Sequence, residues 1–371
     1  MDELGRPTLT RRTFLAGSLA FAGAVTGGCR PGRRDASARP DVTTTTARPP
    51  APAAAAAEYW PPSSGAWETV EPAAAGWDPE GVEEALALAG DRSTRSLRIV
   101  VGGRMLAERH WDVGPDFARD IASCQKSVLS LLVLRARDQG LVALDDPVSK
   151  HLGPGWSAAR PDEEGGITIR HLLTMTSGLD DELRRTAPPG TRWHYNNTAY
   201  HRLRPVLEAV TAKGIQAVTD EWLFSPIGIR SSTWYERPGA PDPTGRKLWG
   251  LRMTTADMAR FGLLVQRGGT WDLTEVIART SVDEATTPSQ ALNPTYGYLW
   301  WLNGRTVDSR IPGAPPDLVA ALGQDDQKIY VSRDLDLVVT RLGGRGGPPT
   351  WTSPDSFNSA FLTALAAAAP A

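Results

Sequence analysis

Ser123-Cys124-Gln125-Lys126-Ser127 opens a stretch, Ser127 to Arg137, whose apolar residues recur at helical spacing. A serine and a lysine three residues apart on a helix share one face, one turn apart. A hydroxyl at a helix N-terminus sits in a field that favours a developing oxyanion. A lysine kept neutral by burial can take that hydroxyl's proton, which makes the pair a nucleophile with its base. No other Ser-x-x-Lys occurs in the chain, where lysine is scarce beside arginine. The same residues also read as a Ser123 helix cap followed by a solvated Lys126. Spacing alone leaves both readings open.

Two distant segments carry complementary groups. Tyr195-Asn196-Asn197 lies between Trp193-His194 and a helical pattern from Thr198 to Val210. A tyrosine at such a junction can serve as general base where cations favour phenolate, and the Asn197 amide can reach the lysine or a substrate carbonyl. A surface Tyr-Asn turn is the plainer alternative. Ala321-Leu322-Gly323 precedes Gln324-Asp325-Asp326-Gln327 and a strand pattern from Lys328 to Ser332. A strand edge there would offer a backbone N–H to an oxyanion, and its glycine would permit close approach. An ordinary turn between two strands fits those residues equally well.

Taken in order, Ser-x-x-Lys, Tyr-x-Asn and a small-residue strand resemble the serine β-lactamase and penicillin-binding protein superfamily. The resemblance extends to Gly140–Val148, Ile167–Leu179, Asp257–Gly262 and Tyr296–Trp301, and runs from about residue 66 to the C-terminus. It is nearest to the class C-like branch, with esterases and 6-aminohexanoate-dimer hydrolases. It implies Ser123 as nucleophile, with Lys126 and Tyr195 sharing the acid and base roles as a coupled group. Asn197 would hold the lysine side of the network. The oxyanion hole would be the Ser123 N–H and one from Gly323 or Gln324. Ala321 stands where many relatives carry the lysine that pairs with a substrate carboxylate. That departure tilts the expected substrate towards esters or amides without one, unless an arginine such as Arg252 or Arg341 folds back into the cleft. Lys328 is expected to lie too far along its strand to substitute. A D-Ala-D-Ala carboxypeptidase or β-lactamase, and a catalytically silent envelope-binding protein of the same fold, remain as competing readings. The partner on the main reading is a small ester, amide or peptide-like molecule.

The remaining pattern is consistent with one α+β domain. Asp78-Pro79 starts a helix reaching about Ala89, with Asp78 as cap. Two β-rich runs, Ser96–Val101 and Arg104–Trp111, flank Gly102-Gly103 and read as a hairpin. From Ser123 to about Thr287 helices and loops dominate. Strand character returns at Asp317–Leu322, Gln327–Ser332 and Leu337–Leu342, and Ser356–Ala369 closes as a helix. Strands at both ends around inserted helices predict a single antiparallel sheet shared by the terminal segments, as in the β-lactamase/transpeptidase-like architecture.

Upstream of that domain, Arg11-Arg12-Thr13-Phe14-Leu15 leads into a short apolar run ending near Val25, the anatomy of a twin-arginine export signal. Thr26-Gly27-Gly28 before Cys29 resembles a lipoprotein cleavage site, with Thr26 where an apolar residue is usual. Residues 1–29 are therefore expected to be a leader, with membrane anchoring through lipid on Cys29, followed by a Pro/Ala/Thr-rich tether over 30–57 and the hydrolase domain over 58–371.

Composition narrows the function classes. A formal net charge of −2 gives no global attraction for nucleic acid. The two cysteines, Cys29 and Cys124, sit in unrelated contexts, and no Cys/His spacing for a metal occurs, so neither metal nor cofactor is expected. Cys124, beside Ser123, is expected to be a small buried residue pointing off the serine's face. With 13 tryptophans against 7 phenylalanines, Trp300-Trp301 in particular is read either as cleft lining or as core.

Overall fold

The computed structural model describes residues 58–304, 311, 313–348 and 353–370. The expected leader with Arg11, Arg12 and Cys29, and the tether over 30–57, lie outside the described residues.

The strands, in chain order, are β1 (Thr94–Val101), β2 (Arg104–His110), β3 (Ala118–Asp120), β4 (Thr233–Glu236), β5 (Trp249–Thr254), β6 (Thr270–Trp271), β7 (Thr274–Glu275), β8 (Trp301–Leu302), β9 (Val319–Gly323), β10 (Gln327–Ser332) and β11 (Leu337–Gly343). The main sheet has the order β2-β1-β11-β10-β9-β8 and is antiparallel throughout. The first hairpin of the domain thus pairs directly with its last strand, Thr94 opposite Gly343 and Val101 opposite Leu337. The terminal-segment sheet read from the sequence is the observed architecture.

Both faces of this sheet are covered. Leu97, Ile99, Tyr330 and Val339 pack against the helices Pro79–Asp91 and Phe357–Ala367. Their neighbours Val100, Ile329, Val331 and Val338 join the other core, which contains the helix Thr255–Gln266 and the helical lobe. Side chains alternate across a strand, so burial on both faces demands unbroken apolar runs such as Ile329-Tyr330-Val331 and Leu337-Val338-Val339. Asp78 caps its helix as expected, accepting from the backbone N–H groups of Glu80 and Gly81 with Pro79 in the first turn.

The lobe inserted between β2 and β8 carries the buried helix Gln125–Asp138 at its centre. It also contains a three-stranded sheet, β3-β5-β4, within the stretch expected to be helix and loop only. These strands are only three to six residues long, and β3 reaches β5 across more than a hundred residues of chain, so no local alternation marks them. The expected helix over Thr198–Val210 is a 3₁₀ turn, Ala199–Arg202, running into an α-helix from Leu203 to Thr211.

One fully buried ion pair ties this lobe together. Arg202 Nη1 lies 2.7 Å from Asp242 Oδ2, with both side chains almost without solvent. Asp242 also accepts from the Thr244 and Arg246 backbone, and Arg202 donates to the Trp156 carbonyl. Removing one partner would leave a buried charge unpaired. Asp242→Ala is expected to cost about 3–5 kcal/mol in urea unfolding, whereas the double replacement Arg202→Met with Asp242→Leu should recover most of that loss.

Candidate active site

The approach to Ser123 is strained and held. Ala122 adopts a left-handed φ of 50°, which costs a non-glycine residue free energy unless its surroundings fix it. Its N–H donates to Asp120 Oδ1 at 2.8 Å. Ser123 follows in a 3₁₀ turn, Ala122–Cys124, and the α-helix proper begins at Gln125. The helix makes no side-chain cap, and Ser123 Oγ instead accepts from Lys126 Nζ at 2.8 Å. The capping alternative is excluded by this geometry, and so is a solvated Lys126, which is only 2% exposed.

Lys126 Nζ also donates to Asn197 Oδ1 at 3.3 Å and faces two aromatic rings, Tyr200 at 4.0 Å and Tyr195 at 4.7 Å. Among the described residues no carboxylate forms an ion pair with it. Burial, reinforced by the Arg237 cation, lowers its pKa to about 7, against weaker opposition from Cys124 and Asp181. Tyr195 moves the other way. Burial raises its phenol to about 12, partly offset by its hydrogen bond with Ser123.

Asn196 explains how Tyr195 and Asn197 are presented together. Its buried amide donates to the carbonyls of Leu179 and Asp180, and its oxygen accepts from the N–H groups of Thr198 and Ala199. With the middle residue anchored inward, its two neighbours turn towards Lys126. The sequence reading gave Asn196 no role, although an Asn-Asn pair before a helical pattern is the available signal for such an anchor.

The strand side of the site is β9, at whose end Gly323 lies against the chain leading into Ser123. A Cβ on Gly323 would stand 2.4 Å from the Ile121 carbonyl oxygen and 3.3 Å from the Ala122 Cβ. The turn that follows places Asp325 at φ 57° and Asp326 at φ 60°, a region aspartate tolerates better than most residues. Two aspartates can therefore hold a turn in which both residues are left-handed. Cys124 is fully buried, its thiol donating to the carbonyls of Ala321 and Gln327.

Two cavities meet at Ser123. One, about 530 Å³, is lined by Tyr195, Trp301, Leu322, Gly323, Lys328 and Arg345 among others. The second, about 450 Å³, is lined by Arg119, Asp120, Lys126, His201, Arg237 and Gln324 among others. Trp301 packs its ring 5.5 Å from Tyr195 at the mouth of the first, while Trp300 is fully buried and stacks on Phe261. The two adjacent tryptophans thus divide the cleft and core roles between them.

The cations fall differently from the sequence expectation. Lys328, expected to lie too far away, is opposite Leu322 in the β9–β10 register and lines the cleft. It is nevertheless 3% exposed, with Nζ 2.9 Å from Asp326 Oδ1. Arg341 does not fold into the cleft. It is buried beneath the Asp325-Asp326 turn, bonded to the Asp326 and Arg92 carbonyls and to Thr94. Arg252 stacks on Tyr235 at 4.6 Å. The residues missed altogether are Asp120 and Arg237, whose bidentate pair, 2.9 Å on both contacts, backs the nucleophile turn. Among the described residues no group of three or more His, Cys, Asp or Glu side chains is placed to hold a metal ion.

Comparison with known proteins places these features in a family. A family model described as Beta-lactamase matches residues 80–351. An uncharacterised protein of Alkalihalophilus pseudofirmus is 23% identical over 305 residues, spanning 72% of this chain and 87% of that one. Esterase EstB of Burkholderia gladioli is 27% identical over 213 residues, spanning 44% of this chain and 54% of the esterase, so the match reaches about half of that relative's length. Among solved structures, a penicillin-binding protein homologue from Caulobacter crescentus superposes with a TM-score of 0.60 at 15% identity, over 78% of this chain and 97% of that one. At that identity the likeness is one of fold.

The contact between Gly323 and Ile121 generates a stability test. Gly323→Ala must push the Ile121 backbone or β9 aside, and is expected to cost about 1–3 kcal/mol in urea unfolding.

Proposed function

The chain belongs to the beta-lactamase family, and from that premise we propose that it is a serine hydrolase cleaving ester or amide carbonyls through an acyl-enzyme on Ser123. The observation carrying this reading is the 2.8 Å contact between Lys126 Nζ and Ser123 Oγ, made by a lysine that has no carboxylate partner among the described residues. A buried ammonium without a counter-ion favours its neutral form. With a pKa of about 7 it is a free base over much of the physiological range, whereas Tyr195 at about 12 keeps its proton. That asymmetry assigns the first base role to Lys126 and the proton-donor role to Tyr195.

In the proposed sequence Ser123 Oγ attacks the carbonyl carbon as its proton passes to Lys126 Nζ. The oxyanion is met by the Ser123 N–H and by one from Gly323 or Gln324 at the end of β9. Collapse breaks the bond to the alcohol or amine, which takes the Tyr195 phenolic proton, and Lys126 returns its own to Tyr195. Water then attacks the acyl carbon, its proton leaving by the same groups, and Ser123 is released.

The substrate side of the reading rests on the cleft's cations. Ala321 supplies none, and the Lys328 charge is taken up by Asp326. Tyr195, Trp301 and Leu322 give the larger cavity an apolar wall. Uncharged esters with a short apolar acyl group fit that lining, and the partial similarity to an esterase supports the same choice. A carboxypeptidase or β-lactamase is the second reading, favoured by one observation: Lys328 and Arg345 both border the cleft containing Ser123.

Three measurements test this. Ser123→Ala should lose all covalent labelling by a fluorophosphonate while keeping the parent melting temperature; labelling at the parent rate would remove Ser123 from the mechanism. For the parent, kcat/KM on p-nitrophenyl butyrate should rise about tenfold per pH unit below pH 7 and level off above it, because the reactive species is deprotonated Lys126. Under one set of conditions that ester should exceed nitrocefin in kcat/KM. A tenfold preference for nitrocefin, about 1.4 kcal/mol of transition-state binding, would instead favour the second reading.

A further inference from the structure

Behind the nucleophile lies a connected polar assembly that forms one wall of the second cavity. Asp120, at the end of β3, accepts four hydrogen bonds. One comes from the Ala122 N–H at 2.8 Å, one from the Tyr235 hydroxyl at 2.6 Å and two from Arg237, Nε and Nη2, at 2.9 Å each. Burial alone would raise the Asp120 carboxyl, but the hydrogen bonds from Arg237 and Tyr235 outweigh it and hold the group ionised. Arg237 follows β4, and Nη2 also reaches Gln125 Oε1 at 3.4 Å. Gln125 in turn donates to the Tyr200 hydroxyl at 2.9 Å and to the Trp249 carbonyl at 2.8 Å. The Tyr200 ring then lies 4.0 Å beneath Lys126 Nζ.

This arrangement has two arms converging on the same pair. Through Asp120 it reaches the backbone of Ala122, the left-handed residue whose conformation aims Ser123. Through Gln125 and Tyr200 it reaches the ring face on which Lys126 rests. We propose, building on the hydrolase reading, that Arg237 is a positioning residue that keeps Lys126 in its uncharged form while Asp120 locks the turn carrying Ser123.

The charges around Lys126 support this. On its own helix the nearest titratable group is the buried Cys124 thiol. From the Tyr195 loop come Tyr195, Asn197 and Asp181, the last accepting the Asn197 N–H at 2.8 Å. From the following turn come Tyr200 and His201, whose imidazole is pushed well below its usual range by burial and by Lys126, Arg237, Arg202 and Arg204. Across β10, Lys328 pairs with Asp326 and is not among the leading charges that act on Lys126. Of the formal charges acting on Lys126, Arg237 opposes its protonation and Asp181 favours it, and the Arg237 effect is the larger. A second cation held in place by Asp120 thus does for Lys126 what burial begins. A guanidinium serves here because it never sheds its own proton and can fork onto one carboxylate.

The test separates charge from shape. Arg237→Gln keeps a polar side chain but removes the cation, and Arg237→Lys restores the cation without the fork. With ¹³C-labelled lysine, the Lys126 side-chain titration is followed directly, its resonance identified by its loss in Lys126→Arg. Arg237→Gln should raise the midpoint by about one pH unit, and Arg237→Lys should return most of that shift. In parallel, the pH at half-maximal fluorophosphonate labelling of Ser123 should move upward by the same interval, so that labelling at pH 7 falls about fivefold in Arg237→Gln. Folded Arg237→Gln protein, checked by its melting temperature, that keeps the parent titration midpoint overturns the inference. Equal shifts in the Lys and Gln variants also overturn it, because charge would then not be the agent. A parent protein whose Lys126 responds as expected but whose Ser123 takes no label would support the electrostatic role and reject the hydrolase reading.

Discussion

An ammonium group taken out of water must find a counter-ion or give up its proton, and among the described residues no carboxylate pairs with Lys126. Around its Nζ stand a serine hydroxyl, an amide oxygen and two aromatic faces. Each of these accepts a hydrogen bond or tolerates a partial positive charge, yet none neutralises a full one. The position of every other element of the site follows from maintaining that environment. The helix Gln125–Asp138 is buried along almost its whole length and fixes the lysine's root. The Asn196 anchor brings Tyr195 and Asn197 over it, and β9 closes the side facing the cleft.

Much of this was legible in the chain because the chemistry depends on short intervals. Ser123 and Lys126 are one helical turn apart, Tyr195 and Asn197 flank one anchor, and Gly323 ends a strand. Each interval survives as a local pattern, and their order along the chain distinguishes them from chance. The main sheet was legible for a related reason: strands buried on both faces are long apolar runs that no surface segment imitates. What could not be read is what is assembled from afar. The short strands β3, β4 and β5 have no alternation of their own, so nothing local marks Asp120 and Arg237, which those strands bring together.

The arginines show the same limit. Abundant arginine invites the thought that one of them supplies the cleft's missing cation, and Arg341 was a reasonable candidate by position. The structure uses it as scaffolding instead. Its guanidinium binds the Asp326 carbonyl and four further acceptors beneath the turn that borders the site, and burial lowers its pKa to about 10. A group with five donors in a fixed plane can satisfy several carbonyls at once, which an amine cannot. Lys328 meanwhile lies close enough to the cleft to matter, but Asp326 has claimed its charge. Distance along the chain predicted neither result, because side-chain reach and the partner already present decide them.

The pairing of β1 with β11 has a consequence for how this chain becomes a protein at all. The strand at the centre of the main sheet's N-terminal half finds its neighbour only near the other end of the sequence. As the chain emerges during synthesis, β1 and β2 can form a hairpin, but one edge of it stays open, with unpaired N–H and C=O groups beside apolar side chains. The inserted lobe shares its core with one face of the sheet, Ile329, Val331 and Val338 among its members, so it too stays incomplete until the last strands arrive. The sheet cannot close until β9, β10 and β11 have all appeared, and closing it orders a loop that contains most of the domain. Folding is therefore expected to be completed late and slowly, with an exposed strand edge as the aggregation hazard in the interval.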